Sequence, residues 1–223
     1  TQFVDVKGTL SSTQTITCGV PQGSILGPLL FTIYVNDMAN SVSCDLCLYA
    51  DDSMLIVAGK NVKEIESSLT FEMEKISKWL YCNKLSLHLG KTESILFASK
   101  KKLKKVSTLD IKRNKVTIEA KSHVKYLGAV SDQDMSGRTM CTNVIKKVNS
   151  GLKFLYRKSC YLNFRERKLL CSSLLQSRFD YGYNVFYRCV EKKLKDKLQT
   201  AQNKIVRFIL GHDCRTHLMY KDF

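Results

Sequence analysis

Apolar residues recur every three or four positions between residues 61 and 81, and this spacing predicts a long amphipathic helix. The stripe consists of Val62, Ile65, Leu69, Met73, Ile76, Trp79 and Leu80. Short apolar runs on either side of it are typical of strands. These runs are Leu46–Tyr49, Met54–Val57, Ser94–Phe97, Val116–Ile118 and Val124–Leu127. The first part of the chain is therefore predicted to mix helix and strand.

Three apolar stripes at helical spacing follow in the second part of the chain. They are Val144, Val148, Leu152 and Leu155; then Phe164, Leu170, Leu174 and Leu175; then Leu194, Leu198, Ala201, Ile205 and Ile209. Asn163 opens the second stripe with Glu166 three residues later, which is the pattern of a capping box. Both prolines, Pro21 and Pro28, precede these segments, so no proline interrupts the helices. We expect the three helices to pack as a small bundle.

The change from mixed structure to helix alone predicts two domains and an α+β fold class. We place the boundary near Gly128–Gly137, with a mixed domain over residues 1–130 and an all-α domain over residues 131–223. The lysine-rich stretch Lys100–Lys105 is interpreted as a loop between strands.

The composition is that of a chain that can bury a core. Of its 223 residues, 44% are hydrophobic and 25% are charged, which excludes a disordered tail, a fibrous repeat and a disulfide-held mini-protein. No run of 18 apolar residues is present, so no membrane span is predicted. The chain begins at Thr1 without an initiator methionine or a signal-peptide pattern, and we expect it to be part of a longer protein.

Positive charge is concentrated in the second part of the chain. Residues 1–99 hold 7 Lys/Arg against 10 Asp/Glu, a net charge of −3, whereas residues 100–223 hold 29 against 10, a net charge of +19. Such an excess favours a polyanionic partner, with a solvated basic surface as the alternative. An anionic membrane surface is disfavoured because the basic residues are spread over several segments.

Nine cysteines without a secretory signal indicate free thiols in a reducing compartment. Cys44 and Cys47 have the spacing of half a metal knuckle, but no second pair follows, and buried thiols in a strand are the favoured interpretation. The cluster of His212, Asp213, Cys214 and His217 is equally weak as a metal site.

The sequence Tyr49-Ala50-Asp51-Asp52 lies between two apolar runs and is the segment that points most directly to a chemical function. Neighbouring side chains of a regular strand face opposite ways, but in a tight hairpin turn both aspartates can approach the tip. Adjacent carboxylates repel each other, and a hard divalent cation such as Mg²⁺ would relieve the repulsion. From this tetrapeptide alone, a metal-binding turn and a merely hydrophilic turn both stay open.

Upstream of this turn, a Pro-Gln-Gly block at residues 19–31 leads into an apolar helix. Together the two motifs resemble the reverse transcriptases of non-LTR (LINE-type) retrotransposons, especially jockey-like and CR1-like elements. Four further segments extend the resemblance at family-like spacing. They are Leu85–Phe97 with Lys91-Thr92, Val124–Gly128, Phe179-Asp180-Tyr181 and Leu198–Arg207.

The resemblance implies an RNA-directed DNA polymerase. It implies a partial palm, an antiparallel sheet with helices, over residues 1–130 and a basic helical thumb over residues 131–223. Its partners would be an RNA template, a DNA primer and deoxynucleotide triphosphates, and its cofactor two Mg²⁺ ions.

The implied site residues fall into four groups. The metal ions would be bound by Asp51 and Asp52, and departure of pyrophosphate would be assisted by Lys91. Nucleotide and template would be contacted by Gln22, Gly23, Tyr49 and Ala50. The primer would be held by Tyr126, Leu127 and Gly128. Sequence-independent contacts to the nucleic-acid backbone would come from Lys146, Lys147, Arg157, Lys158, Arg165, Arg167 and Lys168.

The chain also departs from the family pattern. The resemblance implies a third metal-binding aspartate well before the Pro-Gln-Gly block, where this chain offers only Asp5, in a different context. The fingers are absent too, as is the endonuclease that such elements usually carry upstream. His88 replaces the asparagine usual before Lys91-Thr92.

We therefore expect this chain to be inactive by itself. The alternatives are a non-catalytic nucleic-acid-binding remnant of a truncated element and a translated relic without a role. The resemblance also implies a cytoplasmic ribonucleoprotein that acts in the nucleus.

Overall fold

Eight α-helices and nine short strands make up the described part of the chain, which in this computed structural model comprises residues 1–17, 19–21, 23–106, 109–113, 116–212 and 216. The strands are β1 (Asp5–Val6), β2 (Thr9–Leu10), β3 (Asp45–Tyr49), β4 (Asp52–Ile56), β5 (Glu93–Ser94), β6 (Ile111–Arg113), β7 (Val116–Ala120), β8 (His123–Tyr126) and β9 (Ala129–Asp132). The helices are α1 (Leu26–Val35), α2 (Val62–Cys82), α3 (Lys100–Leu103), α4 (Arg138–Tyr156), α5 (Phe164–Cys171), α6 (Ser177–Asp180), α7 (Tyr183–Phe186) and α8 (Lys192–Leu210). Among these helices, none is both long enough and apolar enough to cross a membrane.

The strands form four small sheets within the described residues. Antiparallel pairs join β1 to β2, β3 to β4 and β8 to β9. The remaining sheet has the order β5-β7-β6, in which β5 runs parallel to β7 and β6 runs antiparallel to it. This combination of helices with small sheets confirms the predicted α+β class, although the parallel pair departs from a purely antiparallel sheet.

Most of the predicted elements in the first part of the chain are confirmed. α2 covers the predicted helix, and Asn61 begins it by accepting a hydrogen bond from the Glu64 backbone N–H at 2.9 Å. Two predictions are wrong. The run at residues 94–97 forms a strand only at its first residue, and the stretch Lys100–Lys105 is not a loop throughout, since α3 forms one helical turn there.

The chain divides into two compact units, Thr1–His88 and Leu89–Phe223. In the first unit, side chains from α1, the β3–β4 hairpin and α2 meet in a small core. Its buried residues are Val35, Met38 and Ile76, and Phe31, Val42, Leu46, Leu48, Leu55, Trp79, Leu80 and Leu85 pack against them. The functional boundary near residues 128–137 stays a prediction.

The second unit has the larger core, built mainly from α4, α5–α6 and α8. All four residues of the first predicted stripe are buried, as are three of the five in the third. Helix packing is close at Gly151, where an added Cβ would come within 2.5 Å of Leu175 Cδ2. The predicted bundle of three helices is thus confirmed.

The second stripe is confirmed only in part. Leu175 is buried and Leu170 packs against the core, whereas Phe164 and Leu174 are exposed, and the stripe did not include the buried Cys171 and Phe179. A π-helical turn at Ser172–Gln176 separates α5 from α6. The predicted capping box of Asn163 and Glu166 is confirmed.

Candidate nucleic-acid and metal site

The two aspartates of the Tyr49-Ala50-Asp51-Asp52 motif lie at the tip of the β3–β4 hairpin. Tyr49 pairs with Asp52 across the strands, so Ala50 and Asp51 form a two-residue turn. Ala50 adopts a left-handed conformation with φ of 51°. The side chains of Leu46 and Leu48 pack against the core of this unit, which fixes the hairpin and leaves its tip facing outward.

All four residues of this tip are exposed, including Tyr49 at 63%. The carboxylate of neither aspartate has a hydrogen bond or ion pair with any other described residue. Two adjacent carboxylates without a nearby cation repel each other, and their oxygens are the ligands that Mg²⁺ prefers. The pair therefore fits part of a metal site in its chemistry, although no three metal-binding side chains cluster anywhere in the described ranges.

A buried carboxylate holds the opposite end of this hairpin. Glu72 of α2 is only 6% exposed, and its Oε2 accepts from the Ser43 backbone N–H at 2.9 Å. The Lys75 ammonium donates to Glu72 Oε1 at 3.0 Å and to the Ser43 hydroxyl at 2.8 Å. Burial raises the pKa of Glu72, but the Ser43 N–H and the Lys75 ammonium outweigh it, so the pKa lies below its ordinary value.

The Pro-Gln-Gly block precedes α1 in the same unit. Gln22 lies outside the described residues, whereas Gly23 is described and has a φ of 82°. The Ser24 backbone N–H donates to the Pro21 carbonyl at 3.2 Å, which closes a turn, and its hydroxyl accepts from the Gly27 N–H at 3.0 Å. The apolar helix predicted after the block is thus confirmed, and the roles of Gln22 and Gly23 stay predictions.

Lys91 ends a short 3₁₀ turn at Leu89–Lys91 in the second unit, and its side chain is exposed. It forms no hydrogen bond or ion pair with another residue that the structure describes. An exposed ammonium without a partner can accept a phosphate group as a ligand. The predicted role of Lys91 remains a prediction.

The primer-holding segment forms a second two-residue hairpin, β8–β9. Tyr126 pairs with Ala129, and both residues of the turn are left-handed, with φ of 46° at Leu127 and 84° at Gly128. Positive φ at both positions defines a type I′ turn, which matches the twist of the strands. The structure therefore brings the three predicted primer-binding residues together at one hairpin tip.

A contact that the sequence did not predict holds this second tip. The Tyr181 hydroxyl donates a hydrogen bond to the Leu127 carbonyl. The other end of the hairpin is held by Asp132, only 7% exposed, whose Oδ2 accepts from the Ser136 hydroxyl at 3.1 Å and the Thr139 N–H at 3.2 Å. Phe179-Asp180-Tyr181 is one of the segments that resemble the family, so the sequence did single out Tyr181. The spacing of these residues could not indicate that the Leu127 carbonyl is its partner.

Six of the seven basic residues predicted to follow the nucleic-acid backbone are exposed on α4, α5 and the turns beside them. They are Lys146, Lys147, Arg157, Lys158, Arg165 and Lys168.

The seventh, Arg167, is half-buried and bonded to its own chain, so its contact with nucleic acid stays a prediction. Its Nε donates to the Leu162 carbonyl at 3.0 Å, and its Nη2 donates to the Ser159 carbonyl at 2.9 Å. The guanidinium also lies 5.5 Å from the centre of the Phe208 ring. Because its donors are directed at the protein's own carbonyls, Arg167 is a structural residue of the second unit.

The cysteine predictions are met only in part. Cys44 is half-buried, but Cys47 at the middle of β3 is exposed because strand side chains alternate between faces. Cys141 and Cys171 are buried in the second core, where burial raises the pKa of each thiol to about 11. His212 is described, whereas Asp213, Cys214 and His217 lie outside the described residues.

A protein-family model described as reverse transcriptase (RNA-dependent DNA polymerase) matches residues 1–130 of the chain. The chain belongs to the reverse transcriptase family. The matched segment contains the Asp51-Asp52 hairpin, the Pro-Gln-Gly block, Lys91 and the β8–β9 turn.

The relatives support the resemblance to non-LTR elements. The chain is 25% identical over 222 residues to the RNA-directed DNA polymerase from mobile element jockey of Drosophila melanogaster, covering 95% of this chain and 24% of that protein. It is 22% identical over 213 residues to the probable RNA-directed DNA polymerase from transposon X-element of the same species, covering 91% and 23%.

A third relative is the Pol polyprotein from the type-1 retrotransposable element R1 of Nasonia vitripennis, 24% identical over 212 residues, with 89% of this chain and 61% of that protein covered. The chain thus spans about a quarter of the length of the first two relatives and well over half of the third. No solved structure gives a significant match.

Proposed function

We propose that the chain is the metal-binding and primer-binding part of an RNA-directed DNA polymerase of a non-LTR retrotransposon. The observation that carries the proposal is the open β3–β4 tip, where Asp51 and Asp52 lie exposed and without partners in the described structure. The template would be RNA, the primer DNA and the substrates deoxynucleotide triphosphates.

Asp51 and Asp52 would hold Mg²⁺ through their carboxylate oxygens. Bound Mg²⁺ supplies a Lewis acid that stabilises charge on the transferring phosphate. Tyr49 and Ala50 flank these carboxylates on the same exposed tip, which supports their role against the nucleotide and template. The positive charge on Lys91 Nζ would neutralise part of the pyrophosphate as it departs.

The proposal includes a limit on this chain's own activity. Asp5, the aspartate nearest the position of the implied third ligand, uses its Oδ1 to accept from the Gly8 N–H at 2.9 Å in the β1–β2 turn. Two carboxylates leave a metal less firmly held than three would. We therefore propose that polymerisation needs a further carboxylate and that residues 1–223 by themselves bind primer–template without extending it.

The exposed lysines and arginines of α4 and α5 support backbone contacts that do not depend on base sequence. Each contact of this kind releases a condensed counterion, so affinity falls as salt rises. RNA–DNA hybrids present regularly spaced phosphates and a groove that side chains read poorly, which suits such contacts.

The binding half of this proposal is tested by fluorescence anisotropy with a labelled RNA–DNA primer–template at increasing salt concentration. We expect the logarithm of the association constant to fall linearly with the logarithm of salt concentration. Affinity that does not change with salt would contradict phosphate tracking.

The catalytic half is tested by primer extension after residues 1–223 replace the matching segment of the jockey enzyme. We expect the Asp51→Asn chimera to lose synthesis while it retains primer–template binding. Equal loss of synthesis and binding would contradict the metal assignment. The second candidate function, a nucleic-acid-binding remnant without catalysis, is favoured by the lack of a three-ligand cluster in the described residues. It predicts that even the unaltered chimera binds and does not extend.

A further inference from the structure

Tyr181 reaches from the helical part of the second unit to the tip of the β8–β9 hairpin. It follows the last turn of α6, where its backbone N–H donates to the Ser177 carbonyl at 3.2 Å. Its hydroxyl donates to the Leu127 carbonyl, 54 residues away along the chain. Two residues before it, Phe179 is buried in the core, so the segment that carries Tyr181 is itself anchored.

The tyrosine ring also packs against the second residue of the turn. A Cβ added at Gly128 would lie 3.2 Å from Tyr181 Cε1 and 3.2 Å from its hydroxyl oxygen. Gly128 has a φ of 84°, which disfavours any side chain as well. The tip thus receives one hydrogen bond and one close ring contact from the same residue.

Tyr181 is placed to limit motion of the tip. An isolated two-stranded hairpin is only marginally stable, and a two-residue turn fluctuates when nothing holds it. The base of this hairpin is fixed by Asp132, and Val130 packs against the helical core. Tyr181 adds a contact at the opposite end, so that the β8–β9 hairpin is held at both its base and its tip.

We propose that Tyr181 is a positioning residue that holds the Leu127–Gly128 turn in the conformation that receives the primer's 3′ end. This inference rests on the proposed function, because it assigns Tyr181 to the same primer site. A preordered turn loses less conformational entropy when the primer binds. Removing the hydroxyl should therefore weaken binding of a primer end and leave binding of a continuous duplex unchanged.

The test compares two nucleic acids of equal length with the 223-residue chain. One is an RNA–DNA primer–template with a recessed 3′ end, and the other is an uninterrupted RNA–DNA duplex. We expect Tyr181→Phe to weaken binding of the recessed end by roughly three- to tenfold, the range for loss of one hydrogen bond. Binding of the uninterrupted duplex should stay the same, and amide hydrogen exchange at Gly128 and Ala129 should become faster.

Tyr161→Phe is the matched control, since Tyr161 lies in the same unit, is 79% exposed and has a hydroxyl that makes no hydrogen bond to another described residue. Tyr181→Leu is the second variant, because it removes the hydroxyl and the ring contact while the residues of the turn stay unchanged. It should show the same selective loss, which keeps the inference testable if Tyr181→Phe folds poorly.

The outcomes separate this inference from the proposed function. An unaltered chain that binds neither nucleic acid contradicts the proposed function. An unaltered chain that binds both nucleic acids contradicts the positioning role alone if Tyr181→Phe and Tyr181→Leu weaken binding of neither nucleic acid, or weaken binding of both equally.

Discussion

The β3–β4 and β8–β9 hairpins share a two-residue turn and a buried carboxylate at the base, but their tips differ. Glu72 holds the base of the first through Ser43, and Asp132 ties the second to the start of α4. At the first tip, Asp51 has no partner among the described residues, whereas Tyr181 binds the second tip.

This difference follows from what each tip is proposed to do. A tip that binds a metal ion and a nucleotide must keep its carboxylates unpaired. The repulsion between these carboxylates lowers the stability of the metal-free protein. A tip that positions a primer needs no open ligand and gains from being held. The same local fold can therefore serve as an open site or as a fixed support, depending on what the rest of the unit contributes.

The largest expected effect comes from changing the open tip. In the jockey chimera, Asp51→Asn should reduce primer extension by at least about a hundredfold, because one metal-binding carboxylate is replaced by a neutral amide. Asp45→Asn is the matched control, since Asp45 is an exposed carboxylate at the other end of the same hairpin. Extension by the Asp51→Asn chimera at the unaltered rate would show that the tip is not the metal site.

The second effect concerns the base of the first hairpin. Glu72→Ala should lower the free energy of unfolding by about 2–3 kcal/mol, because the Ser43 N–H and Lys75 lose a buried partner. Urea denaturation measures this, with Glu74→Ala as the control, an exposed glutamate on the same helix. A loss no larger than that of the control would mean that the Glu72 contacts do not hold the hairpin.

The contribution of Glu72 should also depend on pH. Since its folded-state pKa is lowered, its stabilisation is fully present above its ordinary value of 4.5 and is lost as the pH falls through the folded value. The stability difference between the unaltered chain and Glu72→Gln should therefore shrink in acid. A difference that grew as the pH fell below 4.5 would contradict the lowered pKa.

A third pair of variants in the second unit distinguishes Arg167, which bonds to the protein, from the exposed Lys146 and Lys147. Arg167→Ala should destabilise the chain by about 1–3 kcal/mol, since two carbonyls lose a charged donor, and should leave primer–template affinity nearly unchanged. The double variant of Lys146 and Lys147 to Ala should do the reverse, with the salt slope reduced by about two. Weaker binding of primer–template by folded Arg167→Ala would show that Arg167 contacts the nucleic-acid backbone, as the sequence predicts.

The smallest effect concerns the left-handed backbone at Ala50 in the β3–β4 turn. Ala50 is left-handed although it carries a Cβ, so Ala50→Gly should stabilise the chain by up to about 1 kcal/mol. The entropy cost of glycine offsets part of this gain. Thermal unfolding measures it, and destabilisation by Ala50→Gly would indicate that the methyl group has a role in the folded state.

The sequence predicted those parts of the fold in which side chains repeat regularly. The spacing of Met73 and Ile76 in α2 and of Val144 and Val148 in α4 indicated their buried faces, because 3.6 residues per turn place such residues together. The second stripe was right for Leu170 and Leu175 but included the exposed Phe164 and Leu174, and apolar spacing carries no signal of the π-helical turn in that segment.

The candidate site was predictable where adjacent residues act together. Asp51 and Asp52 share one turn, and the flanking apolar runs indicated the hairpin. The roles of Tyr181, Glu72 and Arg167 were not predictable in the same way. Each depends on a backbone group that only folding brings near, and a spacing pattern does not contain that partner.

We propose above all that Asp51 and Asp52 at the exposed β3–β4 tip hold a divalent metal ion. The most direct measurement replaces Mg²⁺ by Fe²⁺ in the complex of this chain with an RNA–DNA primer–template and adds ascorbate and peroxide, so that hydroxyl radicals cut near the metal. We expect protein cleavage around residues 49–53 that is lost in the double variant of Asp51 and Asp52 to Asn. Protein cleavage elsewhere, or cleavage that persists in the double variant, would contradict this proposal.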